Sequence, residues 1–187
     1  VDVFGVGLIL LGGGPRGTVS EPYLPILDAE VRLARACLML DKPVIGIGLG
    51  AQFLSIAADG GAAPAELSCR VSALRRVDDT ALNGFLPRDM PLVHYGRDRA
   101  EPPAYARILA VDEQDHPAIF QIGAHSLGFC GHPGVKVAMI EDLVMEFEDA
   151  PDDIADGLTR IRRAGTAVED ALVPVMTGLM QLTKWMG

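Results

Sequence analysis

Short unbroken apolar runs alternate with stretches in which apolar residues recur every three or four positions. Residues 6–11 (Val-Gly-Leu-Ile-Leu-Leu) are followed at once by Gly12-Gly13-Gly14-Pro15, the pattern of a buried strand of a parallel sheet. Leu27, Val31, Ala34 and Leu38 then fall on one helical face, predicting a helix over 25–40 that Asp41 closes. Pro43-Val44-Ile45-Gly46-Ile47 reads as a second buried strand. Gly48-Leu49-Gly50 follows, opening a helix through about Ala58. Strand, helix, strand, helix with short links predicts an α/β fold built on a single doubly wound, mostly parallel sheet. Further strands are expected at 69–77, 91–95, 107–111, 118–122 and 127–132, with the Gly/Ala/Pro stretch 60–65 as a loop. Beyond His132-Pro133-Gly134 the pattern turns helical, around 136–148 and 152–164. A last helix follows Thr166, where Thr166 and Glu169 form a capping box. Asp152, Asp153 and Asp156 suit the solvated start of a helix, where negative charge is favourable.

Composition narrows the class. The chain of 187 residues is 49% hydrophobic and 22% charged, an ordinary globular mixture. That length fits one domain, 1–187, with 151–187 as a helical tail packed on it. A formal charge of −9 argues against nucleic acid and anionic membrane as partners. No apolar run reaches 18 residues, so no spanning helix is expected. Three widely spaced cysteines, Cys37, Cys69 and Cys130, suit a reducing cytoplasm and lack zinc-ligand spacing. Neither a metal nor a cofactor is expected. The chain begins at Val1 with no signal-peptide n-region ahead of its first apolar run.

Three segments carry a resemblance. They are Leu10-Leu11-Gly12-Gly13-Gly14-Pro15, Lys42-Pro43-Val44-Ile45-Gly46-Ile47-Gly48-Leu49-Gly50-Ala51-Gln52, and Leu127-Gly128-Phe129-Cys130-Gly131-His132-Pro133-Gly134-Val135. In order and spacing they resemble the oxyanion loop, nucleophile elbow and histidine strand of class I glutamine amidotransferases, especially stand-alone domains similar to the amidotransferase part of GMP synthase. Val93-His94-Tyr95-Gly96 falls where that family has a histidine-rich strand end. The resemblance implies a flavodoxin-like sheet, glutamine hydrolysis and ammonia transfer. It also implies a strand, a helix and a second strand ahead of the glycine-proline loop, for which only about ten residues remain here.

The departures decide the functional expectation. The family's nucleophilic cysteine corresponds to Gly48, which has no side chain to attack an amide. A glycine there still relaxes a sharp turn, because it tolerates positive φ. His132 matches the family's general base, and its orienting carboxylate corresponds to Gly134. A triad needs that third group to fix the imidazole tautomer. The expectation is therefore a degenerate triad: His132 as vestigial base, Gly48 and Gly134 as lost positions. Backbone amides near Gly13, Gly14 and Leu49, together with Gln52 and His94, are the expected ligand-binding remnants, suited to glutamine or another small carboxylate.

Other residues are weaker candidates. Cys130, two positions before His132 on the expected strand, shares its face but reads better as a small buried residue. Cys37 and Cys69 read as packing. His116 and His125 are assigned to exposed loops without metal-ligand spacing. Val168, Leu172, Val175, Leu179, Leu182 and Met186 follow a four-three-four-three-four spacing, widened by Met176, Met180 and Trp185, with a bend expected at Pro174. This stripe either docks on its own domain or, over 168–186, meets a second copy or a partner subunit. Three functions follow: a non-catalytic subunit, scaffold or regulatory binder; an active amidotransferase with an unidentified nucleophile; or a small-carboxylate-binding module.

Overall fold

In a computed structural model, which describes residues 6–21, 25–147 and 149–185, the continuously apolar runs become the centre of a sheet. Strands β1 (Leu8–Gly12) and β2 (Val44–Gly48) pair in parallel, from Leu8 against Val44 to Gly12 against Gly48. On its other side β2 pairs in parallel with β9 (Ser126–Phe129), Ile47 against Phe129. From β9 the sheet continues through β8 (Pro117–Ile122), β7 (Arg107–Val111), β4 (Ser68–Arg76) and β5 (Asp89–Gly96), every one of these ladders antiparallel. The α/β class and the helical tail are as the pattern predicts, but the sheet is mixed, with parallel ladders confined to β1, β2 and β9. The reason is link length. Only residues 112–116 join β7 to β8, and 123–125 join β8 to β9, and a parallel crossover needs a dozen or more.

The sheet also curls. Gly14, beyond β1, forms a parallel bridge with Gly96 at the end of β5, and His132, beyond β9, forms an antiparallel bridge with Val93. Strands far apart in sheet order thus meet at one end of the molecule. Gly61–Ala63 (β3), inside the stretch expected to be a loop, pairs with Arg99–Glu101 (β6) in a separate two-stranded ribbon. Three-residue strands carry too little alternation to be read from sequence.

Helices cover both faces. Alternation along β2 sends Val44 to one side, with α1 (Leu27–Met39) and α2 (Leu49–Ala57), and Ile45 to the other. On the first side Leu10, Val44, Leu54, Phe120 and Ile122 form the core. On the second, Ile45, Leu127 and Phe129 pack with Val175 and Leu179 of α4 (Ile154–Thr183). A third cluster joins Val93 and Tyr95 to Ile140 of α3 (Val137–Glu146) and to Ile161 and Val168 of α4. Asp41 ends α1 in the left-handed region, at φ +54°, while the Lys42 amide returns to the Cys37 carbonyl.

Two expectations about the tail are corrected. The helices at 152–164 and after Thr166 are one helix, α4, of 30 residues, and the capping box does not form. Ile161, Val168, Ala171 and Val175 all lie on its buried stripe, so packing on both sides of Thr166 overrides the local cap signal. Pro174 lies within this helix, where it removes one backbone donor. The stripe itself serves the molecule's own core: Val168, Val175 and Leu179 are buried, while Met180, Leu182 and Trp185 pack against the same core cluster as Leu179. Met186 lies outside the described residues. Of the large apolar residues of α4, Val173 and Met176 remain exposed. Leu179→Asp is therefore expected to lower the urea midpoint sharply, because it places a carboxylate in a core, while the mass of the folded fraction in sedimentation stays that of the parent.

β1 is different. It pairs with β2 on one side, and among the described residues no strand pairs with its outer edge. Ile9 and Leu11 are 53% and 70% exposed. No helix of the described structure is long and apolar enough to cross a membrane.

Candidate functional site

The site forms where the curled sheet closes. β2 passes directly into α2, and the residue between them, Gly48, has φ +60° and ψ −117°, a conformation open to glycine and costly for other residues. Its amide donates to the Gly131 carbonyl at 3.2 Å. A Cβ added to Gly48 would overlap the Gly12 carbonyl oxygen and Cε1 of His132, and would stand 2.6 Å from His132 Nε2. The imidazole thus fills the space a side chain at 48 needs. On its other flank, Nε2 is 3.1 Å from where Gly13 would carry a Cβ.

His132 is anchored by its backbone, whose amide donates to the Val93 carbonyl at 2.6 Å. Its Nε2 is buried with no hydrogen-bond partner among the described residues. Burial holds the imidazole below the usual histidine pKa, opposed by the nearby Tyr95 carbonyl. Gly134 adopts φ +72° and faces elsewhere: a Cβ there would stand 2.6 Å from Leu172 Cδ2 on α4. The structure therefore gathers Gly13, Gly48 and His132 at one point and turns Gly134 toward the tail.

The residues expected to contact a ligand also make contacts within the chain. Gln52 is buried, its Oε1 accepting from the Thr18 hydroxyl at 2.6 Å and its Nε2 donating to the Arg97 carbonyl at 2.8 Å. Both ends of that amide are engaged, so Gln52 ties the loop after β1 to the turn after β5. Gly14 donates weakly to the Tyr95 carbonyl at 3.4 Å, and Leu49 packs in the core beside α1. The pattern of residues carries no signal for the group that organises this corner, Asp98. Flanked by Arg97 and Arg99, it reads as a solvated charge run, yet it is 2% exposed. Its carboxylate accepts from the amides of Thr18, Val19 and Ser20 at 2.8, 2.9 and 3.1 Å, and from Ala65 at 3.3 Å. Burial raises its pKa, but the hydrogen bonds from Ser20, Val19 and Ala65 outweigh it and hold the carboxyl below the usual value.

The expected strand at 127–132 ends at Phe129; Cys130 lies in a bend and His132 at the isolated bridge to Val93, not along one strand face. The Cys130 carbonyl lies 3.1 Å from Nδ1 of His94, whose Nε2 lies 3.2 Å from the Gly96 carbonyl. A neutral imidazole donates to only one of these. Burial, reinforced by Arg70, nevertheless pushes the His94 pKa down to about 4, with the two carbonyls opposing. Because this folded pKa lies below the unfolded value, the unfolded chain takes up the proton first as pH falls. Stability is then expected to fall between about pH 6.5 and pH 4, by at most about 3 kcal/mol. His132 adds in the same direction. His94→Asn should flatten much of this slope in urea midpoints measured against pH.

Burial pushes the Cys130 thiol up to about 12, which disfavours the thiolate there near neutrality. Cys69, raised to about 11, and Cys37 are shifted the same way by burial. His116 lies 3.4 Å from the Asp112 carboxylate, and His125 lies 2.9 Å from the Asp41 carbonyl. Among the described residues, no group of three His, Cys, Asp or Glu side chains is placed to hold a metal.

A cleft of about 670 Å³ opens beside the elbow, its wall including Gly48, Gln52, His94 and Cys130. His132, Gly13, Gly14 and Leu49 do not line it. The imidazole lies beside Gly48, which does line the cleft.

The fold is similar to that of solved glutamine amidotransferases. The protein SMU.1228c superimposes with a TM-score of 0.77 at 19% identity, covering 97% of this chain and 82% of that one. A glutamine amidotransferase from Thermotoga maritima gives 0.72 at 19% identity over 95% of this chain and 78% of its own. One from Methylobacillus flagellatus gives 0.69 at 20% identity, covering 93% and 77%. At this identity the likeness is one of fold. No protein-family model and no curated protein matches the chain.

Proposed function

We propose that this chain is a non-catalytic member of the glutamine amidotransferase fold group, acting as a subunit, scaffold or regulatory binder. The observation that carries this reading is the packing at Gly48: the turn of a nucleophile elbow is kept, and the imidazole of His132 occupies the room its nucleophile would need. Gly134, proposed as the lost carboxylate position, supports it, because Leu172 fills the space beside that residue. The active-enzyme alternative needs another nucleophile. Cys130, two residues before His132, lines the cleft, but burial pushes its thiol up to about 12, which weighs against it as that nucleophile. A GMP synthase subunit protein from Thermoplasma acidophilum, similar at a TM-score of 0.52 and 17% identity, favours a subunit role. Since the α4 stripe is buried in its own domain, the partner surface belongs at the exposed apolar edge of β1, around Ile9 and Leu11.

An electrophilic diazoketone analogue of glutamine tests the reading directly, because it alkylates a nucleophile placed to attack the side-chain amide. Intact-mass measurement should show no adduct after prolonged incubation. A single stoichiometric adduct, blocked by excess glutamine, would overturn the proposal, and peptide mapping would name the nucleophile.

A further inference from the structure

The cleft beside the elbow has a wall that the lost triad does not explain. β4 contributes Ser68, Arg70 and Ser72, and Arg99 stands on β6. Arg160 of α4 also borders the cleft. Arg70 is the cross-strand partner of His94, whose ring touches the Cys130 carbonyl. Asp112 and, more weakly, Arg99 act electrostatically on the same Cys130, and both Arg70 and Arg99 line the cleft. Neither of these, nor Arg160, makes an ion pair with a carboxylate among the described residues.

Four carboxylates share the cleft wall, and each that the fold engages is held by backbone amides and makes no ion pair with these arginines. Asp98 is bound to the amides of residues 18–20 and 65. Asp112 accepts from the amides of Gln114 and His116 and faces the His116 ring, and Glu113 accepts from the Ala73 amide. Glu66 is the remaining carboxylate of the wall, and it is exposed. In a chain of net charge −9, guanidinium groups left without acidic partners along one concave surface are suited to bind an anion from solution.

We propose that this cleft binds a small organic or inorganic anion carrying at least two negative charges, gripped by Arg70 and Arg99 with Arg160 at its border. A cavity of about 670 Å³ is large enough for a metabolite-sized ligand and has hydroxyls, Ser68 and Ser72, beside the cations. The inference stands on the arginines and holds whether or not the elbow has chemistry.

Pyrophosphate and citrate serve as probes, titrated by calorimetry into the full chain at constant ionic strength with chloride as the competing ion. Saturable one-to-one binding of at least one probe is expected. Arg70→Gln and Arg99→Gln, which keep much of each side-chain stem, should each weaken it by roughly tenfold or more. Arg163→Gln, on the exposed side of α4 away from the cleft, should leave it unchanged. Circular dichroism and a urea midpoint confirm that each variant is folded; for any that is not, Arg→Lys replaces it, removing the planar fork while keeping the charge. No saturation by either probe, or equal weakening by Arg163→Gln, would overturn the proposal. Binding of an adventitious ion only, insensitive to Arg70 and Arg99, would overturn it equally. Glutamate release bears on the elbow and not on this site, so the two failures are distinguishable.

Discussion

Gly48→Cys is expected to produce a less stable protein that still does not hydrolyse glutamine. The substitution forces a side chain onto φ +60° and ψ −117°, and its Cβ overlaps the Gly12 carbonyl and the His132 ring. Backbone strain and overpacking together should cost about 2–5 kcal/mol, read as a fall in urea midpoint at unchanged slope. The cause can be separated by a double-mutant cycle. His132→Ala empties the space against which the new Cβ collides, so the double variant should recover part of the loss, a coupling of about 0.5–3 kcal/mol. The strain from φ would remain in both backgrounds. A Gly48→Cys protein as stable as the parent would mean that the imidazole moves aside freely, and the closed-elbow account would fail.

Asp98→Ala carries the other large effect. This carboxylate gathers four backbone amides from two loops, and without it those donors are left facing a space its oxygens had filled. Hydrogen bonds to a buried charge are worth about 1.5–3 kcal/mol each, and because these four act together the total should be about 3–5 kcal/mol. Amide exchange at Thr18, Val19 and Ser20 should accelerate first, since that loop has Asp98 and the Thr18–Gln52 contact as its ties. Asp98→Asn keeps one acceptor oxygen and should recover part of the loss. Asp152→Ala, at an exposed position before α4, should change stability by less than about 0.5 kcal/mol. Because the folded pKa of Asp98 is depressed, its contribution is present above the usual carboxylate pKa and disappears as pH falls below it. That lies beneath the window in which His94 acts.

What can be read from the sequence follows the physics of each element. β1, α1, β2 and α2 are legible because continuous or helically spaced apolar positions reflect burial on two faces or one. Gly48 is legible as a turn because a positive φ leaves glycine as the cheapest residue, and the structure has φ +60° there. The direction of the middle strands is not legible from apolar runs; for β7, β8 and β9 it comes from the short links between them. The capping box at Thr166 misleads because a local cap signal is worth about 1 kcal/mol, less than a stripe buried on both sides of it. Gln52 is recognisable as part of the corner, but its engagement with Thr18 and Arg97 depends on residues 34 and 45 positions away. Asp98 and the arginine wall are invisible for the same reason: each is defined by what the fold brings opposite it.

The measurement that bears most directly on the central claim is a coupled glutamate-release assay on the purified parent, run beside His132→Ala at high glutamine concentration. The closed elbow predicts release no faster than buffer for both proteins, at pH values from about 6 to about 9. Glutamate release by the parent that is abolished in the folded His132→Ala variant would contradict it, and would show that the imidazole beside Gly48 still serves a nucleophile.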